Sequence, residues 1–456
     1  QQPGAWQEPT SGQPWQPPVS GQPSQQPVSG QPWAAPTSGQ PAPGPQPGWQ
    51  PPGLPPPYGA PPPPAAGKGK GGLIAGLVAG GVVLVLLVCG GLVWALGGSE
   101  SEEPTIDDKP VSAAACEKKL AFYGTLSGRY GAIGNSVRDG AKLAVEQFRE
   151  KYPDCKVELV EYDTKDNRKR DAEVAKEIAD DESIVGVIGP VYAIEAPESV
   201  PTLDKAGLAV ISASATRDDL TDQGWKGFHR VIGPNSSQGT AIAKYLQQLQ
   251  VKRMATVSDE NTYFRGLAKS VADGMGSDAL KNMTFNSKKR DFTEIIKYLK
   301  VSVIHAVYFS GYYEDALEFL KQLRAARLTI RVVASDAAYD SRILARASQL
   351  KHFAVSCTCA PPGELDDRFQ RAFTKAYGKR PGNYAGEGYD AATVFLKGIS
   401  DERATREQML EFVKGFRGHG LTKKIQFSDT GEIRPRAPVW FYSVENKRFE
   451  YDRRID

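Results

Sequence analysis

The sequence has few of the residues that make metal sites and nucleic-acid surfaces. It contains 4 histidines in 456 residues, none of them near a second cysteine pair, so the ligand spacing of a zinc site is missing. Its 56 basic and 53 acidic residues leave a net charge of +3, and the two signs are interleaved throughout the C-terminal part. We therefore expect no metal and no nucleic-acid partner.

Catalytic and nucleotide-binding motifs are also missing. The chain has no Gly-x-Ser-x-Gly nucleophile elbow, and no Gly-Lys-Ser/Thr follows the glycine-containing turn Gly124–Gly128. The four histidines have no carboxylate and nucleophile nearby in the sequence. We expect the protein to carry no cofactor and no catalytic residue, although an enzyme such as a hydrolase, with its site assembled from distant residues, is a remote alternative.

What the chain does have is one long apolar run, Leu73–Leu96, with Lys68 and Lys70 before it and several acids after it. As a helix it would reach roughly 36 Å, enough to cross a hydrocarbon core of about 30 Å. The run predicts a single transmembrane helix at residues 71–97, an uncleaved signal anchor in the cell membrane. The lysines predict a cytoplasmic N-terminus and an extracellular C-terminal domain. A cleaved signal peptide is the weaker alternative, because some seventy residues come first.

The segments on either side of this run have compositions unlike that of a globular domain. Residues 1–66 consist largely of Pro, Gln, Gly and Ser, and they predict a disordered cytoplasmic tail. This tail is a spacer or a set of proline-rich sites for a cytoplasmic partner. Residues 98–115 predict an acidic linker. The chain begins at Gln1 rather than Met, which leaves open a further cytoplasmic domain upstream.

From Lys118 onward, short apolar runs alternate with segments that have the 3.6-residue spacing of a helix face. Strand–helix–strand repeats require right-handed crossovers and a parallel sheet covered by helices. The pattern starts again after Gly233, which predicts a second sheet. The predicted strands are Lys119–Tyr123, Val157–Tyr162, Ile184–Ile188, Leu208–Ile211, Met254–Val257, Val307–Phe309 and Ile330–Val333.

Four cysteines follow the apolar run, where an exterior location would allow them to oxidise. Cys116 and Cys155 open two successive predicted strands, whose ends in a parallel pair lie close enough for a disulfide. Cys357 and Cys359 remain open: they could form a strained bridge, bind a metal with distant help, or stay reduced.

The turn Gly124–Gly131 and the helix that follows it resemble the opening of the leucine/isoleucine/valine-binding family of periplasmic solute-binding proteins. The resemblance continues through Ile211–Thr216, Gly233–Gly239, Gly388–Ala391 and nearly all of residues 118–451. It implies an α/β fold with two Rossmann-like lobes, a type I clamp. Three crossovers would join the lobes, near Asn235, Pro361 and Phe427. The first lobe would comprise residues 116–235 and 361–427, and the second 236–360 and 428–456.

The resemblance also implies a ligand site between the lobes. Thr216 and the backbone at Ser214 match the positions that hold a ligand carboxylate, and Asp336 matches the acid that holds the ammonium group. Tyr263 and Tyr312 match aromatic wall positions. The chain departs from the family where Ala193 replaces a hydroxyl residue and Ile133 replaces an aromatic. Unless Tyr192 or Ser127 substitutes, one donor to the ligand carboxylate is lost, and the ligand is then expected not to be a standard branched-chain amino acid.

The resemblance therefore implies a membrane-tethered extracytoplasmic receptor for a small polar ligand, an amino acid or an analogue, that serves an ABC transporter. An alternative with the same clamp is a sensor that reports the ligand across the membrane to a cytoplasmic signalling partner.

Overall fold

A computed structural model of the protein describes residues 111–128 and 130–456. The predicted tail at 1–66, the transmembrane helix at 71–97 and most of the linker lie outside these residues. In the described part of the chain, no helix is both long enough and apolar enough to cross a membrane.

The first sheet consists of five parallel strands in the order β2-β1-β3-β4-β5. Its central strand β3 is buried along its whole length, which explains its uninterrupted apolar sequence. The strands are β1 (Lys119–Gly124), β2 (Glu158–Asp163), β3 (Ile184–Ile188), β4 (Ala209–Ser212) and β5 (Phe228–Arg230). The helices between Val111 and β5 are α1 (Ala113–Cys116), α2 (Gly131–Lys151), α3 (Arg168–Asp180) and α4 (Ala196–Lys205).

The second sheet has seven strands in the order β15-β14-β10-β9-β8-β6-β7, parallel from β10 to β7 and antiparallel at β14 and β15. Its strands are β6 (Met254–Asp259), β7 (Ala279–Phe285), β8 (Ala306–Ser310), β9 (Arg331–Ala334), β10 (Phe353–Cys357), β14 (Val439–Glu445) and β15 (Arg448–Ile455). Its helices are α5 (Asn235–Gln248), α6 (Thr262–Met275), α7 (Thr293–Val301) and α8 (Tyr313–Ala325), with 3₁₀ turns at Asp336–Ala338 and Ser341–Gln349.

Between β10 and β14 the chain returns to the first sheet. Here lie α9 (Asp367–Tyr377), α10 (Ala385–Ser400), α11 (Arg406–Gly415) and a small antiparallel sheet of β11 (Arg417–His419), β12 (Lys424–Phe427) and β13 (Ile433–Arg434). Helix α10 packs directly on α2, since a Cβ on Gly388 would lie 2.2 Å from the carbonyl oxygen of Val137. The Arg406 guanidinium donates to carbonyl oxygens beside α3 and β3. The chain thus crosses between the two lobes three times, after β5, β10 and β13, and the predicted two-lobed fold is confirmed.

The predicted strands are all present, but β5 of the first sheet and β7, β10, β14 and β15 of the second sheet were not predicted. Strand β7 was missed because most of its residues are exposed or half-buried at the edge of the sheet, so it has no continuous apolar run. The antiparallel pair β14 and β15 was missed because the predicted pattern was that of parallel crossovers alone.

Both cysteine pairs are bridged. Cys116 is bonded to Cys155, as predicted. Of the three alternatives for Cys357 and Cys359, the structure shows the disulfide between them.

Two glycines at the ends of β1 and β3 bring the loops of the first lobe together. Gly124 and Gly189 have φ of +154° and +142°. A Cβ on Gly124 would lie 2.3 Å from Cγ2 of Val191, and one on Gly189 would lie 2.4 Å from the carbonyl oxygen of Tyr123. The loops after the two strands pack against each other because neither position carries a side chain.

Candidate functional site

A cleft lies between loops of the first lobe and loops of the second. It encloses about 920 Å³, counting the part that is open to solvent. Small-molecule sites commonly combine apolar walls with a few polar groups. From the first lobe the lining residues are Tyr130, Ala132, Ile133, Val191, Tyr192, Ala193, Ile194 and Ser214. The others are Asn261, Tyr263, Phe264, Tyr312, Tyr313, Glu314, Asp336, Ala337, Asp340, Arg342 and Tyr384.

Asp336 is the buried acid of this cleft. It follows β9 directly, at the carboxyl end of a parallel strand, and its residue exposure is 7%. Its Oδ1 accepts a hydrogen bond from the hydroxyl of Tyr263 at 2.9 Å, and its Oδ2 accepts one from the hydroxyl of Tyr384 at 2.6 Å. In the described part of the chain, no Lys, Arg or His side chain forms an ion pair with it.

Burial raises the pKa of Asp336 above its ordinary value of 3.8, while hydrogen bonds from Tyr384, Tyr263 and Gln238 act in the opposite direction. An opposite charge at this place would stabilise the ionised form and lower the pKa. The carboxylate is therefore suited to pairing with a cation that enters the cleft.

The wall from the first lobe is apolar, and its hydroxyl groups are already engaged. Ser214 donates its hydroxyl proton to the carbonyl oxygen of Val191 at 2.7 Å. Tyr192 donates its own to the carbonyl oxygen of Tyr130, also at 2.7 Å. Ala193 lines the same wall, and its methyl group offers no hydrogen-bond donor.

Aromatic rings from both lobes meet across the cleft. The ring centroids of Tyr130, from the first lobe, and Tyr312, from the second, are 4.9 Å apart. Tyr312 also contacts Phe264 edge to face at 5.0 Å, and Phe264 contacts Tyr263 in the same way at 5.0 Å. In this structure the rings of the opposite walls are thus in contact.

A second charged group lies at the rim of the cleft. The guanidinium of Arg342 forms an ion pair with Asp340 at 2.6 Å and lies 4.4 Å from the ring centroid of Tyr313. The Arg342 side chain is half exposed, so this pair contributes little to stability. In the site, this ion pair occupies the guanidinium of Arg342, the one Arg among the described residues that line the cleft.

The structure brings five of the seven predicted ligand-binding residues to the cleft: Tyr192, Ser214, Tyr263, Tyr312 and Asp336. The other two do not line it. Thr216 is 1% exposed and hydrogen-bonds to the hydroxyl of Tyr263, so it supports the wall from behind. Ser127 is exposed in the first turn and hydrogen-bonds to Asp163.

The comparisons with known proteins agree with this arrangement. A profile of the periplasmic binding protein family matches residues 117–448. The chain belongs to the periplasmic binding protein family. Its resemblance to the branched-chain amino-acid-binding proteins, drawn above from motifs, is confirmed by the curated relatives.

Two curated relatives illustrate the similarity of this periplasmic binding protein. The leucine-, isoleucine-, valine-, threonine- and alanine-binding protein of Pseudomonas aeruginosa is 26% identical over 334 residues, which is 71% of this chain and 89% of the relative. The Leu/Ile/Val-binding protein of Escherichia coli K12 is 31% identical over 222 residues, 47% of this chain and 60% of the relative. This second match spans only about three fifths of the relative's length.

Solved structures share the fold. The LivJ substrate-binding protein of Streptococcus pneumoniae, in complex with isoleucine, has a TM-score of 0.66 and 22% identity, and the match covers 73% of this chain and 97% of LivJ. The leucine-binding protein LivK of Thermotoga maritima has a TM-score of 0.66 and 23% identity, covering 74% and 99%.

Sequence reasoning missed several lining residues of this periplasmic binding protein. Tyr384 has a left-handed backbone, with φ of +65°, just before α10, and its hydroxyl reaches Asp336 from a segment 48 residues away. No local pattern marks it. Tyr130 lies within the turn whose motif suggested the family, and that turn was the available signal. Asp340 and Arg342 follow Asp336 so closely that the same loop would have indicated them.

Proposed function

We propose that this chain is a membrane-tethered, extracytoplasmic solute-binding receptor for a small ligand with an ammonium group, an amino acid or an analogue, and that it serves an ABC transporter. The observation that carries the proposal is Asp336, a buried carboxylate in the interlobe cleft with no cationic partner among the described residues. A buried charge of this kind is costly unless a partner of opposite sign arrives.

The shape of the cleft supports a receptor. Tyr130 and Tyr312 contact each other from opposite lobes and line the same cleft, so a ligand in this cleft would touch surfaces of both lobes. Binding energy would then favour the closed conformation. An ABC transporter partner could distinguish the loaded receptor by that conformation.

The names of the relatives support the ligand class and the transport role. The curated relatives are named as amino-acid-binding proteins, and the solved LivJ structure is described as a transporter substrate-binding protein. The membrane tether rests on the apolar run Leu73–Leu96. A bridged Cys116, a short distance beyond that run, fits an oxidising compartment outside the membrane.

A thermal-shift screen of the full chain tests this function. We expect at least one compound among the common amino acids and their decarboxylated amines to raise the melting temperature. At 100 times its dissociation constant, such a ligand adds about 2.7 kcal/mol to the free energy of unfolding. If none of these compounds shifts the transition at millimolar concentration, the proposal is wrong.

A further inference from the structure

We propose that a buried ion pair, Lys423 with Glu387, holds the three crossovers between the lobes in one relative position and thereby positions the two walls of the cleft without touching a ligand. The inference goes beyond the proposed function, because it concerns the arrangement of the lobes and holds for any ligand that contacts both. It follows from the contacts that this pair makes with the three crossovers.

The ion pair is buried, and both of its residues belong to the segment that returns to the first sheet. Nζ of Lys423 lies 3.0 Å from Oε1 of Glu387, and the two side chains are 6% and 1% exposed. Glu387 lies in the first turn of α10, and Lys423 directly precedes β12. Neither is among the described residues that line the cleft. A change at this pair therefore reaches a bound ligand only through the positions of the lobes.

Both partners contact the chain where it crosses between the lobes. Nζ of Lys423 donates to the carbonyl oxygen of Val231 at 3.1 Å, between β5 and the first crossover. Oε1 of Glu387 accepts a hydrogen bond from the backbone N–H of Ala360 at 2.8 Å, just after β10, at the second crossover. Nζ of Lys423 also lies 6.0 Å from the ring centroid of Trp440, in β14, just after the third crossover. One ion pair thus contacts all three connections.

A second buried acid on α10 holds the loop that carries Lys423. Asp390 follows Glu387 by three residues, so the two carboxylates lie on the same side of the helix. Oδ2 of Asp390 accepts from the backbone N–H of Thr422 at 3.1 Å, and its Oδ1 accepts from the backbone N–H of Leu421. The backbone beside Lys423 is therefore fixed to the helix that carries Glu387.

The pair is poorly arranged to stabilise the fold by its own attraction. Both charges are removed from water, and Oε2 of Glu387 has no hydrogen-bond partner among the described residues. The attraction within a buried pair repays the lost hydration only when the remaining polar atoms are also satisfied, and such a pair can instead specify one conformation. Its contacts with the crossovers identify that conformation as the relative position of the two lobes.

The position of the lobes matters for binding because the walls of the cleft come from both of them. Tyr130 and Tyr312 contact each other across the cleft, so a small rotation of one lobe changes the distance between the walls. A ligand that fits one arrangement binds in proportion to the fraction of molecules that have it. Without the ion pair the crossovers can take other positions, and this fraction decreases.

Distances between spin labels on the two lobes test the proposal without a ligand, so its failure and that of the proposed function are distinguishable. The labels are attached to cysteines that replace Lys169 on α3 and Lys321 on α8, whose side chains are 87% and 65% exposed. The full chain carries Cys89→Ala in addition, since Cys89 is the cysteine that belongs to neither disulfide.

The variant that tests the pair is Glu387→Gln combined with Lys423→Met, because it removes both charges together. Lys423→Met alone would leave a buried carboxylate without its cation. We expect the double variant to lose the narrow distribution of interlobe distances that the unchanged protein gives, and to show a broader one. An equal distribution in the two proteins would overturn the proposal.

The matched control makes the same two chemical changes at an ion pair within the first lobe. Nζ of Lys379 lies 2.8 Å from Oδ2 of Asp139, whose side chain is 5% exposed. Asp139→Asn with Lys379→Met should leave the interlobe distances unchanged, and an equal broadening in this control would overturn the proposal. We also expect Glu387→Gln with Lys423→Met to keep a cooperative melting transition. Its loss would assign the pair to the stability of the fold and would likewise overturn the proposal.

Discussion

Replacing Asp336 with asparagine should lower the affinity for any ammonium ligand by at least about a hundredfold, since a ligand cation in a closed cleft then lacks its counter-charge. Removing one partner of a buried ion pair commonly costs about 3 to 5 kcal/mol. Asparagine keeps the size of the side chain and one oxygen acceptor for the hydroxyls of Tyr263 and Tyr384. Asp336→Ala should abolish binding as well, but it leaves both hydroxyls without their acceptor.

Calorimetry with an ammonium ligand measures this effect. The matched control is Asp273→Asn, the same chemical change at a half-exposed side chain on α6 of the same lobe, paired with Lys269. We expect the control to bind as the unchanged protein does. If Asp336→Asn also retained full affinity, Asp336 would not be the ammonium-binding acid.

The affinity for an ammonium ligand should also depend on pH through Asp336. The ionised carboxylate binds the cation, so affinity is full above the raised pKa of the unliganded protein and falls as the pH decreases through it. The groups that face Asp336, namely Tyr263, Tyr384, Gln238 and Tyr308, include no cation that would hold the pKa down. Two other acidic residues, Glu314 and Asp340, line the same cleft, so the step is read as the difference between the unchanged protein and Asp336→Asn. If affinity depended on pH in the same way in both proteins, this prediction would be wrong.

The same raised pKa predicts the effect on stability. The folded protein holds the Asp336 proton more tightly than the unfolded chain, whose pKa is near 3.8. Ionisation therefore costs folding free energy above the folded-state pKa, and this cost disappears below about pH 3.8. We expect unliganded Asp336→Asn to be no less stable than the unchanged protein at neutral pH, as melting curves would show. A loss of binding in this variant would then not reflect unfolding.

Most of the fold could be predicted from the sequence because many of its buried parallel strands have short, continuous apolar sequences. Strand β3 is the simplest case, since its predicted and observed bounds are both Ile184–Ile188. Strand β7 shows the limit. Its stability comes from pairing at the edge of the sheet with β6, a tertiary contact that leaves no apolar period in Ala279–Phe285.

The site was predicted where one loop carries it and missed where distant segments meet. Asp336 was predicted from the family resemblance, and it lies shortly after the predicted strand Ile330–Val333, at the carboxyl edge of the sheet. The hydroxyl of Tyr384, which lies beyond the second crossover, donates to the same carboxylate. The carboxylate of Glu195 accepts hydrogen bonds from backbone N–H groups, one of which only the tertiary structure brings to it. Thr216 matched a ligand-binding position in the family, yet in this structure it is buried and its side chain hydrogen-bonds to Tyr263, a tertiary contact that the sequence does not reveal.

Removing the disulfide between Cys116 and Cys155 should cost roughly 4 kcal/mol of the free energy of unfolding. The bridge joins residues 39 positions apart, and it closes a loop that contains β1 and α2. Without it the unfolded chain gains the loop-closure entropy that the bridge had removed. The double variant Cys116→Ala with Cys155→Ala keeps the site apolar, which matters because both positions are at most 5% exposed. Denaturant unfolding of the full chain measures the change.

The second disulfide supplies a matched control within the same chain. Cys357 and Cys359 are also fully buried, so replacing both by alanine removes the same two sulfur atoms from a packed interior. Their bridge spans a separation of only 2 residues, for which loop closure contributes roughly 1.5 kcal/mol. We therefore expect the Cys116/Cys155 variant to be less stable than the Cys357/Cys359 variant by about 2 kcal/mol. Equal losses of unfolding free energy in the two variants would mean that the stabilisation comes from local packing. The long loop that contains β1 and α2 would then be ordered by the hydrophobic core alone.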